Sequence, residues 1–383
     1  MKIACVVGAR PNFMKIAPIL EAMKKYPELE PILVHTGQHY DYRMSQIFFE
    51  ELDIPEPDVH LDVGSGTHAV QTAKIMMAFE EAVTSCKPEL VLVVGDVNST
   101  VACALVSAKL CIPVVHVEAG IRSFDRTMPE EINRVLTDVI SEYLFTPTED
   151  AYKNLKKEGI SAEKIYLVGD VMVDTLMKYR DKASSSGALN ELGLEKHSYA
   201  LMTLHRPSNV DVEDNFVKVL DALEEIQRSI KIVLSMHPRT KGRVQEFGLS
   251  DRFSRMDNLM VMEPLGYLKF MGLMINAKFV LTDSGGMQTE TTVLNIPCLT
   301  LRENTERPET IREGTNTLVG NNTHLIIEES MKILSGKGKT GVYPEIWDGH
   351  TAERIARILN EKIQMVLQES VHDKSDVCRQ PGL

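Results

Sequence analysis

The sequence predicts an α/β chain of two doubly wound, parallel-sheet domains in tandem. Three observations predict it. Short runs rich in β-branched residues alternate with helical stretches from residue 2 to residue 147. The alternation weakens over a polar, Ser/Gly-rich stretch at 180–198. It then restarts at 199 and continues to about 301. Strand–helix alternation of this kind implies parallel sheets covered by helices on both faces. A length of 383 residues suits two such units.

The elements follow in order. KIACVV at 2–7 is a strand closed by Gly8. Met14, Ile16, Ala17, Ile19, Leu20 and Met23 recur at helical spacing, so 14–25 reads as a helix. EPILVH at 30–35 is the second strand, and 67–85 is helical. LVLVV at 90–94 is apolar throughout, the mark of a strand buried on both faces. A helix at 98–110, a strand at 113–117, a helix at 129–141 and a strand at 143–147 complete the first series. The second series has strands at 199–204, 231–235, 259–262, 278–282 and 297–301, with helices at 212–228, 266–276 and 285–294. A last helical stretch at roughly 350–369 follows Trp347, and the final residues are polar. The expected domains are 1–174 and 175–359.

Composition narrows the function. Lys plus Arg number 42 and Asp plus Glu number 54, a net charge of −12. That balance excludes a dedicated nucleic-acid binder, since it gives no global attraction to phosphate. The six cysteines form no CxxC pair and mostly sit in apolar runs, so they read as thiols of a reducing cytoplasm. No metal site is expected. The N-terminal apolar run is broken at once by Gly8 and Pro11, and no run approaches the ~18 residues of a membrane span. A soluble, cytoplasmic chain is expected.

In doubly wound sheets, ligands bind at the loops after the strands. The first strand is followed by Gly8-Ala9-Arg10-Pro11-Asn12-Phe13-Met14-Lys15, which is not GxGxxG, so no dinucleotide cofactor is expected. Two cations at a helix start oppose the helix dipole, and Arg10 with Lys15 reads as an anion clamp. Asp96 follows the strand 90–94, Glu118 follows 113–117, and Pro129-Glu130-Glu131 opens a helix. Each alone could be a cap or a helix start. Brought to one cleft, such carboxylates raise one another's pKa and become proton donors near neutrality. In the second series, His205 follows 199–204. Asp283-Ser284-Gly285-Gly286 opens a helix on which Glu290 could reach a ribose diol. Two glycines at a helix start let backbone N–H groups approach a phosphate. The loop 302–309, which includes Arg307, is densely charged.

The segments GARPNFMK, TGQHYD, GDVNST, HVEAGIRS, MPEEINR, TLHR, TDSGGMQTE and TERPETIREGTNTLVG, in this order from residue 8 to about 320, resemble the non-hydrolysing UDP-N-acetylglucosamine 2-epimerases. The resemblance implies a GT-B-type fold: two Rossmann-like domains with the active site in the interdomain cleft. A C-terminal helix, at about 360–383, would return to the first domain. It implies substrate contacts at Arg10, Lys15, Asp96, Glu118, His205, Phe270, Ser284, Gly285, Gly286, Glu290 and Arg307. The catalytic groups would be Asp96, Glu118, Glu130 and His205. The reaction implied is reversible C2 epimerisation of UDP-GlcNAc to UDP-ManNAc. UDP would be eliminated anti to give 2-acetamidoglucal and re-added syn, feeding the synthesis of cell-surface glycans. UDP-GlcNAc, UDP-ManNAc, UDP and a second copy of the chain are the implied partners. Neither a cofactor nor a metal is implied. Two departures stand out. Leu265 replaces a frequent Gln. Of a second-site segment found in bacterial members, Gln38, His39 and Met44 remain, but no Arg precedes Gln71 and Thr72. A glycosyltransferase, a hydrolysing 2-epimerase, a UDP-sugar sensor, or an epimerase of a diacetamido uronic acid nucleotide are the rival readings.

Overall fold

A computed structural model describes residues 1–38, 48–362 and 364. Seven strands form the first sheet: β1 (Lys2–Val7), β2 (Glu30–His35), β3 (Val59–His60), β4 (Leu90–Val94), β5 (Val114–Val117), β6 (Tyr143–Thr146) and β7 (Ile165–Leu167). Six form the second: β8 (Tyr199–Leu204), β9 (Lys231–Met236), β10 (Leu259–Met262), β11 (Phe279–Thr282), β12 (Cys298–Thr300) and β13 (Asn316–Leu318). Every strand pair is parallel. The orders are β3-β2-β1-β4-β5-β6-β7 and β10-β9-β8-β11-β12-β13. Both are doubly wound. The order in which strands are added reverses between β1 and β4, and between β8 and β11, the places where such sheets open a crevice for ligands.

Burial explains why these runs are strands. All five residues of β4 are buried, as a strand covered on both faces requires. One hydrophobic cluster carries residues of both sheets: Cys5, Leu92 and Val115 from the first, Leu201 and Val280 from the second. The interior is therefore continuous between the domains.

The expected boundary at 174/175 falls inside a helix, Val171–Ser184, that runs through it without a break. This helix belongs to both halves. The Thr175 hydroxyl donates to the Met14 carbonyl at 2.5 Å, and the Tyr179 hydroxyl to Asp53 at 3.3 Å. Part of the stretch read as a linker is thus helical, and a further short helix, Ala188–Glu191, follows. The last helix starts at residue 351, as the reading of 350–369 expects and earlier than the returning segment at about 360 that the resemblance implied. Asp174 caps it, accepting from the Thr351 and Ala352 backbone N–H groups at 3.1 and 2.7 Å. Trp347, fully buried, donates to the Pro147 carbonyl at 3.0 Å, so the crossing to the first domain occurs just before that helix. Of the expected C-terminal helix, residue 363 and residues 365–383 lie outside the described residues. Among the described residues, no helix is long and apolar enough to cross a membrane.

The helix Pro129–Ile140 is turned inside out. Its buried residues are Glu131, Asn133, Arg134, Thr137 and Asp138, whereas Ile132, Leu136 and Val139 are exposed. The polar face looks inward because it clamps the ends of β4 and β5.

Candidate active site

The loops after β1 and β4 are tied by Asn12. Its Oδ1 accepts from the Gly8 and Ala9 N–H groups at 3.1 and 3.0 Å, and its Nδ2 donates to the Val94 carbonyl at 3.0 Å. Gly8 has no room for a side chain, since a Cβ would stand 2.2 Å from Ser99 Oγ. The helix that follows begins at Arg10, earlier than residue 14, with Pro11 in its first turn. The Arg10 side chain lies outside the described residues. Lys15 is buried and pairs with Glu118, so its charge meets a carboxylate of the protein's own.

Asp96 and Glu118 end the adjacent strands β4 and β5. Arg134 grips Asp96 through Nη2 at 2.6 Å and Nε at 3.0 Å. Glu118 is buried, has a left-handed backbone (φ 73°), and receives Lys15 from one side and Arg307 from the other. A non-glycine residue in that conformation is held by its surroundings, as is common where a side chain must be aimed. The expectation that these carboxylates raise one another's pKa is corrected for Asp96. Burial alone would raise it, but the nearby Arg134 and Lys15 charges overrule burial and hold it below the ordinary range. The reason is that cations from neighbouring elements stand against the carboxylates.

Glu130 and Glu131 have separate fates. Glu131 is buried and accepts from Ser123 N at 3.0 Å, Ser123 Oγ at 3.1 Å and Phe124 N at 2.9 Å, pinning the loop after Glu118. Glu130 is half-exposed and faces Arg206 of the second sheet at 3.6 Å.

On the opposite wall, His205 Nδ1 lies 3.0 Å from Asp283. Asp283 is fully buried and also accepts from the His205 and Arg206 N–H groups at 2.9 and 2.7 Å. Burial would raise its carboxyl; His205 and these N–H donors bring it down to about 2. The helix Gly285–Val293 starts after Ser284, and no side chain caps that start. The two glycines differ. A Cβ on Gly285 would strike Glu306 Oε1 at 2.2 Å, whereas one on Gly286 meets only Met172 Cε, at 3.7 Å. Protein packing therefore demands Gly285 but not Gly286. Glu290 is buried and accepts from the Tyr267 hydroxyl at 3.1 Å; burial pushes its carboxyl up to about 7. Phe270 is half-buried on the neighbouring helix Tyr267–Ile275. Arg307 reaches across to Glu118 and, at 2.6 Å, to Asp170.

Residues that sequence reasoning did not place in the site complete it. Arg134 and Arg206 both approach Glu306, at 3.8 and 3.9 Å, and Arg302 reaches it at 2.7 Å. Burial would raise Glu306, but these arginines hold it well below its ordinary range. A chain of charges, Asp96–Arg134–Glu306–Arg206–Glu130, thus bridges the two domains. Asp283 had a readable signal, since it ends β11 directly. Glu306, in a loop dense with charge, had none.

A family model described as UDP-N-acetylglucosamine 2-epimerase matches residues 21–360. The chain belongs to this family. An enzyme named UDP-N-acetylglucosamine 2-epimerase from Methanocaldococcus jannaschii is 45% identical over 364 residues, covering 94% of this chain and 99% of its own. A crystal structure of the M. jannaschii UDP-GlcNAc 2-epimerase in complex with UDP-GlcNAc and UDP superposes with a TM-score of 0.89 at 44% identity, covering 94% of this chain and 100% of that one. A Pseudomonas aeruginosa UDP-2,3-diacetamido-2,3-dideoxy-D-glucuronate 2-epimerase is 43% identical over 344 residues, 89% of this chain and 93% of its own. Family membership and the two parallel sheets together give a GT-B-type pair of Rossmann-like domains. The switch points of both sheets, where Asp96 and the Ser284–Gly286 turn lie, face one interdomain cleft.

Proposed function

We propose that this family member interconverts UDP-GlcNAc and UDP-ManNAc by elimination and re-addition of UDP. The observation that carries the reading is the opposition of two unlike walls. Asp96 and Glu118 stand at strand ends of one sheet, with Glu130 in the first turn of the helix that follows them; an uncapped helix start and His205 stand at the strand ends of the other. The diphosphate would lie against the N–H groups of Ser284–Gly286 with His205 and Arg10, where a helix start and cations stabilise the departing charge. Glu290 would hold the ribose and Phe270 would line the nucleotide. The C1–O bond breaks and UDP leaves with its electron pair. The C2 proton passes to a carboxylate, anti to UDP, leaving 2-acetamidoglucal. Re-addition is syn, with the proton returned to the opposite face of C2. Asp96, Glu118 and Glu130 share these proton transfers. Lys15 and Arg307 hold the Glu118 carboxylate in place for them.

The M. jannaschii relative's bound UDP-GlcNAc and UDP support the choice of ligand. The P. aeruginosa relative supports a second substrate, the diacetamido uronic acid nucleotide, at comparable identity. We further propose a cytoplasmic homodimer that supplies precursors for surface glycans. The pairing is supported by the exposed apolar row Ile132, Leu136 and Val139. Incubation with UDP-GlcNAc alone, followed by product separation, tests the reading. UDP-ManNAc should form without free ManNAc. Accumulating ManNAc and UDP would mean hydrolysis, and no conversion without an acceptor would favour a glycosyltransferase.

A further inference from the structure

We propose that His116, buried behind the sheet and touching no substrate, is a positioning residue that aims the Asp96 turn. It sits on β5, whose Val115 and Val117 face the main core, so its ring points to the opposite side and toward the helix Pro129–Ile140. It is fully buried, and both ring nitrogens are engaged. Nε2 lies 2.8 Å from the Gly95 carbonyl, and Nδ1 lies 2.6 Å from Asp138 Oδ1. A carbonyl only accepts, so Nε2 carries the proton of that bond.

The rest of the wiring explains what the bond does. Asp138 Oδ2 accepts from the Gly120 N–H at 3.1 Å and meets Arg122 at 2.7 Å. Arg122 is fixed in turn by two bonds to Glu158, at 2.8 and 2.7 Å. Gly120 lies two residues after Glu118, so one carboxylate, Asp138, ties the loop after β5 directly and the loop after β4 through His116. The same helix reaches the second loop twice more, by Asn133 to the Asp96 carbonyl at 2.9 Å and by Arg134 to the Asp96 side chain. Gly95 has φ 70°, and a methyl group on it would stand 2.8 Å from Lys15 Nζ and 3.4 Å from Glu118 Oε2. His116 therefore grips from below the peptide that lies directly beneath Lys15 and Glu118. In a planar trans peptide the carbonyl and the following N–H point opposite ways. Holding the Gly95 carbonyl thus fixes the orientation of the whole Gly95–Asp96 link.

The proposal rests on the epimerase reading, and its test separates the two. Gln at 116 can place an amide N–H where Nε2 stands, and Asn one where Nδ1 stands. H116Q keeps the Gly95 bond and loses Asp138; H116N does the reverse. Each variant loses one buried bond, and thermal melts of both serve as the control. The expected result is that H116N lowers kcat about 10²-fold, as a misaimed catalytic group does. H116Q should stay within about fivefold of wild type, and KM for UDP-GlcNAc should change little in either. Equal losses in the two variants, or losses that simply follow melting temperature, would overturn it. A second measurement needs no activity. In ¹⁵N-histidine spectra of the wild type, His116 should show a slowly exchanging Nε2–H, assigned by its absence from both variants. A rapidly exchanging Nε2–H would also overturn it. Failure of wild-type conversion would strike the function and leave the spectrum to judge the bridge.

Discussion

The strand ends of the two sheets are built on opposite principles. In the first, Asp96 is gripped by Arg134, and Glu118 by Lys15 and Arg307. In the second, the helix start at Ser284 carries no side-chain cap, Gly286 leaves open space, and His205 is half-exposed beside a buried aspartate. One wall presents carboxylates held in ion pairs; the other adds to its own pairs, Arg302–Glu306 and His205–Asp283, a helix start with uncapped backbone donors. The difference teaches how an acidic chain can hold an acidic ligand. The carboxylates of the first wall, Asp96, Glu118 and Glu130, are each matched to a cation, so the field that reaches a diphosphate is local and not that of the net charge.

This contrast can be broken at each wall. The largest effect is expected for Asp96→Asn, which should lower turnover by about 10²–10⁴-fold, the range for losing a group that moves a proton. UDP affinity, read by calorimetry, should stay within about threefold. A parallel loss of UDP binding would erase the distinction between walls. Next is the acid limb of stability. Asp283 is held at about 2 in the folded protein, below the ordinary aspartate value of 3.8. Its contribution is therefore complete above pH ~4 and lost as pH falls toward 2, about 2 kcal/mol in all. Denaturant melts of Asp283→Asn should be weaker than wild type at pH 6 and converge with it near pH 2.

Smaller effects sharpen the second wall. Gly286→Ala should fold normally and raise KM for UDP-GlcNAc about tenfold, because the added methyl intrudes on the helix start. Gly285→Ala should instead lose about 1–3 kcal/mol of stability through its clash with Glu306. The smallest effect is a pH dependence. Glu290, at about 7, gains its charge between pH 6 and 8 and then accepts better from a ribose diol. KM should fall severalfold over that interval. Tyr267→Phe, which removes the donor that lowers Glu290, should move the change to higher pH.

How much of this was legible in the sequence follows from physical range. Buried parallel strands are continuous apolar runs, so β4 and β8 could be read, and with them the loops that carry Asp96 and His205. The three-residue strands β7 and β13 were not read, whereas β12, of equal length, was carried by the longer run 297–301. The helices Pro238–Glu246 and Thr323–Lys332 were also not read. The expected boundary at 174/175 lies within a helix packed against both domains, so no local pattern there marks where one domain gives way to the other. That Glu290 lies on the first turns of the helix opened by Gly285 and Gly286 was legible, but its burial against Tyr267 was not. The pairings of Glu118 with Arg307, 189 residues away, and of Arg134 with Glu306 were not, since no local pattern encodes which cation crosses a cleft.

The central claim is that the carboxylate wall moves the C2 proton while the other wall holds UDP. Its most direct test is incubation with UDP-GlcNAc in D₂O, with C2 followed by NMR. Deuterium should appear at C2 of UDP-ManNAc and of recovered UDP-GlcNAc, and Asp96→Asn should abolish both signals while still binding UDP. Equilibration of the two sugars with no deuterium at C2 would contradict the account.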